Sequence, residues 1–369
     1  MLPLTIPSPP PAWQVPVSIP TGWLHGVFPG VAPDASLQIH TYALCILAGI
    51  VVALIITNRR LTARGAEPWI IIDVIIPTII FGLIGARAWH VATHISDYFG
   101  PGKNTWNPFL PGAIWNIWDG GDAILGTLLL GALGVYVGCR ITGLRYTSVV
   151  DAIAPSLLVA QSLGRLGNYF NNELYGLPTN LPWGLKISSD NAAYPAGLPT
   201  SGVYFHPTFL YEIIWNMAGF VIILLIQYKV TVLTSADGRR SFRAAARPQW
   251  QWGKVLGLYL IWYGTGRTWF ENIRIDPSQT FLGIRDNVWG ALGAIVLGLV
   301  IIAVQSRRHP GVEPSVYRPG KEWTPPSEVD SEDIYSDTDD SGDDAAVPSG
   351  TSGSSKKEAP ATSGAVHNS

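Results

Sequence analysis

Seven apolar segments recur along the chain, near residues 38–57, 69–90, 121–139, 148–166, 207–228, 254–272 and 287–305. Each approaches the roughly 20 helical residues needed to cross a hydrocarbon core. None alternates with period two, and backbone groups in lipid must be satisfied within their own segment, so helices are the predicted form. The third segment is the cleanest, with no charge between Ala123 and Gly138. The second, fourth and sixth hold Arg87, Arg165 and Arg267 at or near their ends, and Asp151 and Pro155 interrupt the fourth. The predicted fold class is all-α: a polytopic membrane protein of about seven transmembrane helices occupying 37–308.

The polar stretches set its orientation. Loops after spans one, three and five carry Arg59, Arg60 and Arg64, then Arg140 and Arg145, then Lys229, Arg239, Arg240, Arg243, Arg247 and Lys254, and Arg307 and Arg308 follow the last span. The opposite loops are sparser in cations, with Lys103, Lys186, Arg274 and Arg285. Cytoplasmic loops are the Lys/Arg-rich ones, which puts the N-terminus outside and the C-terminus in the cytoplasm. The long outer loops, 91–120 and 167–206, are rich in Trp, Asn, Pro and Gly, and the second is expected to form a small extracytoplasmic head. Trp106, Trp115, Trp118 and Trp183 suit the interfacial layer. Cys45 and Cys139 lie near opposite membrane faces and are expected to be free thiols.

Composition agrees: 47% apolar and 14% charged positions among 369 residues exclude a wholly disordered chain and an ordinary water-soluble enzyme. The formal charge of -2 conceals two materials. Residues 1–308 carry 20 Lys and Arg against 14 Asp and Glu, whereas 309–369 carry 4 against 12. That second segment is Ser, Gly, Pro, Asp and Glu with almost no aliphatic run, which predicts a disordered acidic cytoplasmic tail over 309–369. Residues 1–36 form a Pro-rich extracytoplasmic segment without a folded pattern, and lack the basic start and unbroken apolar stretch of a secretory signal.

Ionisable groups inside spans are expensive, so each asks for a reason. In Gln161 to Gly176, Arg165 and Asn168 share a helix face, and Gly164 and Gly167 admit a ligand or another backbone. This can be an anion cradle, since the planar guanidinium donates two parallel hydrogen bonds to a phosphate. It can also be an Arg snorkelling to headgroups beside packing glycines. In Tyr263 to Arg274, Arg267, Glu271 and Arg274 are spaced i, i+4, i+7 on one stripe. They read as a phosphate clamp or as a salt-bridged lock between helices. His206, before Pro207, is a general base or only a helix-start residue. No Walker loop, Cys/His metal spacing or Gly-x-Ser-x-Gly elbow occurs, so no metal site, cofactor or nucleic-acid partner is expected.

Taken in this order, the two Arg-bearing stretches resemble the prolipoprotein diacylglyceryl transferase family. The segment Gly164 to Gly176 is similar to that family's signature, and the resemblance continues through Ile39 to Tyr42, Gly85 to Arg87, Trp118 to Gly121, His206 to Glu212 and Tyr263 to Asp276. The acidic C-terminal extension resembles that of actinobacterial members. The resemblance implies a seven-helix enzyme of the bacterial inner (cytoplasmic) membrane. Its partners would be phosphatidylglycerol, as a membrane lipid, and a preprolipoprotein signal peptide carrying a lipobox cysteine. Transfer of the diacylglyceryl group to that thiol forms a thioether and releases glycerol 1-phosphate, without cofactor or metal. It further implies that Arg165 and Arg267 are catalytic and bind the phosphate, with Tyr42, Asn168, Glu173, Gly176, Glu271 and Arg274 as substrate-binding positions and Glu271 orienting Arg267 and Arg274. One departure stands out. Many members carry a His, to which a base role is assigned, where this chain has Leu125. The proton acceptor is then Glu173, Asp122 or His206, or the Arg field suffices alone. A rival reading is a transporter or channel for an anionic lipid or organic phosphate; another is a lipoprotein-sorting partner that performs no chemistry.

Overall fold

The computed structural model describes residues 4–21, 36–99, 113–114, 123–191, 194–234, 249–276, 278 and 280–324. Among the described residues eight α-helices dominate: α1 (Thr41–Thr62), α2 (Ile71–Thr93), α3 (Ile95–Tyr98), α4 (Ile124–Thr142), α5 (Tyr146–Phe170), α6 (Thr208–Thr234), α7 (Lys254–Glu271) and α8 (Asp286–Arg308). Three two-stranded antiparallel pairs accompany them, β1 (Val17–Pro20) with β2 (Ser36–Ile39), β3 (Leu185–Lys186) with β4 (Tyr204–Phe205), and β5 (Thr280–Phe281) with β6 (Ile284–Arg285). All helices except the single-turn α3 correspond to the seven expected spans. Among the described residues, six of them are long and apolar enough to cross a membrane; α7 falls short because Lys254, Arg267 and Glu271 interrupt its 18 residues. At 1.5 Å per residue α7 is still about 27 Å long, and it packs against α5, α6 and α8.

Helix pairing follows α2 with α4, α1 with α5, and α7 with α8. The α2–α4 seam is closest at Gly85 and Gly126, where a Cβ on either residue would collide with the backbone carbonyl of the other. Small residues of this kind let membrane helices meet backbone to backbone. The outward faces stay apolar, with Ile76, Ile79 and Leu83 on α2 and Val296, Leu299 and Val300 on α8 all exposed. Such faces suit lipid contact, and the chain is a multi-pass membrane protein.

The interruption at Asp151 and Pro155 does not break α5. Proline has no N–H to give the carbonyl four residues back, and that carbonyl, Asp151 O, instead accepts from Arg60 Nη2 at 3.1 Å. The Asp151 carboxylate is itself buried and caps α7, accepting from the Gly253 and Leu256 amides at 2.7 and 2.8 Å. Two residues that look like breakers are thus a joint between α1, α5 and α7.

The described parts of both terminal segments, residues 4–21 and 309–324, pair with the rest of the fold. In the N-terminal segment, Ile6 pairs with the β3 edge through Ile6 N to Gly184 O (3.1 Å) and Lys186 N to Ile6 O (2.9 Å). Residues 309–324, which composition assigns to the tail, form a folded strap. Glu313 and Val316 are wholly buried and Tyr317 is 3% exposed. Glu313 Oε2 accepts from Arg64 Nη2 at 2.9 Å and Ser148 Oγ at 2.7 Å, and its backbone exchanges hydrogen bonds with Gln249. Arg145 N donates to Val316 O at 2.8 Å, and Tyr317 Oη accepts the Glu67 amide at 3.0 Å. The strap therefore grips residues beyond α1, at the start of α5 and before α7. Averaged over 61 residues, the Pro, Ser and acidic content masks these few anchors. Residues 325–369 lie outside the described part.

Candidate active site

Four of the expected catalytic and substrate-binding residues meet around one cavity of about 280 Å³: Tyr42 from α1, Arg165 and Asn168 from α5, and Arg267 from α7. Gln161, Gly164, Glu212, Trp215, Asn216, Tyr263 and Phe270 line the same space. The two α5 glycines separate by role. A Cβ on Gly164 would meet nothing within 4 Å, so this residue opens the cavity wall, whereas on Gly167 it would stand 2.8 Å from the Tyr42 ring and 3.3 Å from Cys45 Cβ. Gly167 therefore lets α1 approach α5 and brings Tyr42 to the site.

Each cavity arginine is held by a carboxylate. Arg165 Nε lies 2.6 Å from Glu212 Oε2, and Arg165 Nη1 donates to Asn168 Oδ1 at 3.2 Å. Asn168 Nδ2 donates in turn to Glu173 Oε1 at 2.9 Å, so Glu173 supports Asn168 from behind the cavity wall. Arg267 Nη2 lies 3.0 Å from Glu271 Oε2, with Glu271 fully buried.

The expected link from Glu271 to Arg274 is replaced by another. The helix ends at Glu271, so the i, i+7 stripe does not continue. Arg274 forms a fork with Asp276, at 2.7 and 2.9 Å, while the second oxygen of Glu271 accepts from Arg285 Nη1 at 3.3 Å and Asn287 Nδ2 at 3.0 Å. Glu271 does sit between two guanidinium groups, those of Arg267 and Arg285. The Arg285 signal was hidden because the β5–β6 turn separates it from its partner.

Gly176 supports the site from a distance. Its amide donates to His206 O at 2.9 Å, it bridges to Arg274, and a Cβ there would press within 2.7 Å of His206 Cβ. Only glycine allows these three segments to lie so close. His206 is absent from the cavity lining; its Nδ1 lies 3.2 Å from Tyr211 Oη, and burial pushes its pKa below the ordinary imidazole value. Leu125 is 54% exposed, whereas its neighbour Ile124 lines the cavity. Asp122, Trp106, Trp115 and Trp118 lie outside the described residues.

The carboxylate that sequence reasoning left aside is Glu212. It is the only acidic residue lining the cavity among those described, and it is 7% exposed. The rule that flagged Arg165, an ionisable group inside a span, applies equally to it. One turn further along α6, an indole pair ties this helix to α7: Trp215 and Trp262 stack at 4.4 Å, and each ring N–H donates to the other's carbonyl, at 3.2 and 3.1 Å.

Fold and site together define a multi-pass membrane protein with an arginine- and carboxylate-lined cavity set among its helices. The chain belongs to the prolipoprotein diacylglyceryl transferase family, whose profile it matches over residues 31–304. It is 52% identical over 343 residues to the phosphatidylglycerol–prolipoprotein diacylglyceryl transferase of Leifsonia xyli, covering 91% of this chain and 93% of that protein. Proteins of the same name from Bifidobacterium longum strain DJO10A (41% identical, 72% of this chain and 80% of that protein) and Streptomyces avermitilis (35%, 86% and 84%) are also similar.

Proposed function

We propose that this protein transfers the diacylglyceryl group of phosphatidylglycerol to the lipobox cysteine thiol of a preprolipoprotein, forming a thioether and releasing glycerol 1-phosphate. The carrying observation is that two guanidinium groups from different helices, Arg165 and Arg267, face one cavity, each backed by a buried carboxylate. Displacement at the glyceryl carbon puts developing charge on the departing phosphate, and preorganised donors aimed at that charge are the usual largest contribution to such catalysis. Arg165 and Arg267 bind the phosphate in this reading, with Tyr42 and Asn168 completing the wall. Glu173, Glu271, Gly176 and Arg274 hold those groups in place. The work is done without metal or organic cofactor by this chain's own side chains. The loop cations favour the bacterial cytoplasmic membrane with the N-terminus outside and the strap on the cytoplasmic side, so the cavity opens toward the outer leaflet.

The test is a transfer assay with phosphatidylglycerol labelled in its acyl chains and a lipobox peptide, in proteoliposomes. The expected product is the peptide thioether together with glycerol 1-phosphate in equal amount. Movement of labelled lipid or organic phosphate without thioether formation would sink the enzyme reading in favour of a transporter.

A further inference from the structure

Resting on that reading, the geometry points to Glu212 as the group that takes the proton from the incoming cysteine thiol. A free thiol titrates near pH 8.5, so only a few per cent is thiolate at neutral pH and an acceptor in the cavity is needed for efficient attack. Of the sequence candidates, Glu173 spends its Oε1 on Asn168 and Asn171 at 2.9 and 3.3 Å and is not in the lining, and His206 is turned to Tyr211. Leu125 cannot accept a proton. Glu212 lines the cavity itself, and its Oε2 rests on Arg165 Nε, which leaves Oε1 for another contact.

The charges around Glu212 set the order of events. Arg165 from α5, Arg267 from α7 and Arg274 beyond α7 all act on it, and Tyr42 and Tyr263 share its cavity. With the cavity empty, Glu212 faces this cationic field without a phosphate, its Oε2 paired to Arg165 Nε at 2.6 Å. A phosphodiester anion on Arg165 and Arg267 offsets that field and increases the proton affinity of Glu212. The base is therefore armed by the lipid, before the peptide is engaged. The thiol proton then moves to Glu212, the S–C bond to the glyceryl carbon forms, and the C–O bond to phosphate breaks with its electron pair remaining on the phosphate oxygen. Glu212 returns the proton to the departing glycerol phosphate, which restores the carboxylate for the next turnover.

The experiment compares wild type, Glu212→Gln and Glu212→Asp in the transfer assay between pH 6.5 and 9, with cysteine and selenocysteine lipobox peptides, these pH limits bracketing the thiol's ~8.5. Glu212→Gln should lose about 10²–10⁴-fold with cysteine at neutral pH. The deficit should shrink about tenfold per pH unit as the thiol ionises unaided, and it should largely vanish with the selenol, which is already ionised. A deficit that is constant with pH and equal for both nucleophiles overturns the proposal and makes Glu212 a positioning residue for Arg165. Unaltered activity overturns it as well. If Glu212→Gln fails to accumulate, the same pH and selenol comparisons on Glu212→Asp decide, because rescue is read within one folded variant. A wild-type protein that forms no thioether overturns the functional reading instead, which keeps the two failures distinct.

Discussion

Glu271 stands 3.0 Å from Arg267 through Oε2 and 3.3 Å from Arg285 through Oε1, so one wholly buried carboxylate ties the end of α7 to the start of α8. Removing one member of a buried ion pair leaves uncompensated charge, at a cost of about 3–5 kcal/mol when burial is complete. Arg267 and Arg285 retain 15% and 23% exposure, which favours the lower end of that range. Glu271→Ala should lower thermal stability in detergent and also reduce transfer, because Arg267 loses its orientation. Glu271→Gln should recover part of the stability, since Asn287 and Arg285 keep a hydrogen-bonding partner.

The cavity arginines should be intolerant of the like-charged substitution. Arg165→Lys and Arg267→Lys each keep a cation but lose the planar fork. Hydrogen bonds to charged groups contribute about 1.5–3 kcal/mol, so kcat/KM should fall roughly 10- to 100-fold with unchanged expression. Near-normal turnover in both variants would refute phosphate binding by a guanidinium clamp.

Gly164 and Gly167 should fail differently although three residues apart. Gly164→Leu places its side chain in open cavity space and should abolish transfer while leaving the unfolding temperature near that of wild type. Gly167→Leu drives the Tyr42 ring away and should destabilise the α1–α5 seam itself. Thermal scans paired with activity separate the two outcomes.

Truncation should locate the true end of the fold. A chain stopped after Thr324 should retain full stability and activity. Stopping after Arg308 removes Glu313 from a 2%-exposed Arg64 side chain and should destabilise by about 3–5 kcal/mol. Equal melting temperatures for the two truncations would remove the strap from the folded core.

His206 supplies a pH signature of stability. Its folded pKa is depressed by burial, so the neutral ring is the form the fold prefers. Its contribution is complete above the unfolded value of about 6.5 and is lost as pH falls through the lower folded value. His206→Gln should flatten the acid side of the stability curve, measured as melting temperature against pH. The pH profile of transfer should stay as in wild type, since Glu212 and not His206 handles the proton.

Much of the architecture was readable because lipid imposes a simple rule on sequence: apolar stretches of the required length. Several of the helices run a few residues further than the apolar windows, as at Asn58 to Thr62 of α1 and Lys229 to Thr234 of α6. The site was legible where function left a local pattern, as in Arg165 with Asn168. It was illegible where partners are brought together by the turn of the chain. Arg285 looked like a loop cation because its carboxylate lies 14 residues earlier, across the β5–β6 turn. Glu313 was lost in an acidic tail because its guanidinium partner lies 249 residues away.

That last separation also orders the birth of the protein. Arg64 is made early and Glu313 only after every membrane-crossing helix has been synthesised. Until then the guanidinium lacks its partner carboxylate, and the loops that the strap will join are still apart. The bundle is therefore fastened at that end late in synthesis, and a nascent chain interrupted shortly after α8 would carry all its spans and the complete arginine cavity without the segment that fastens them.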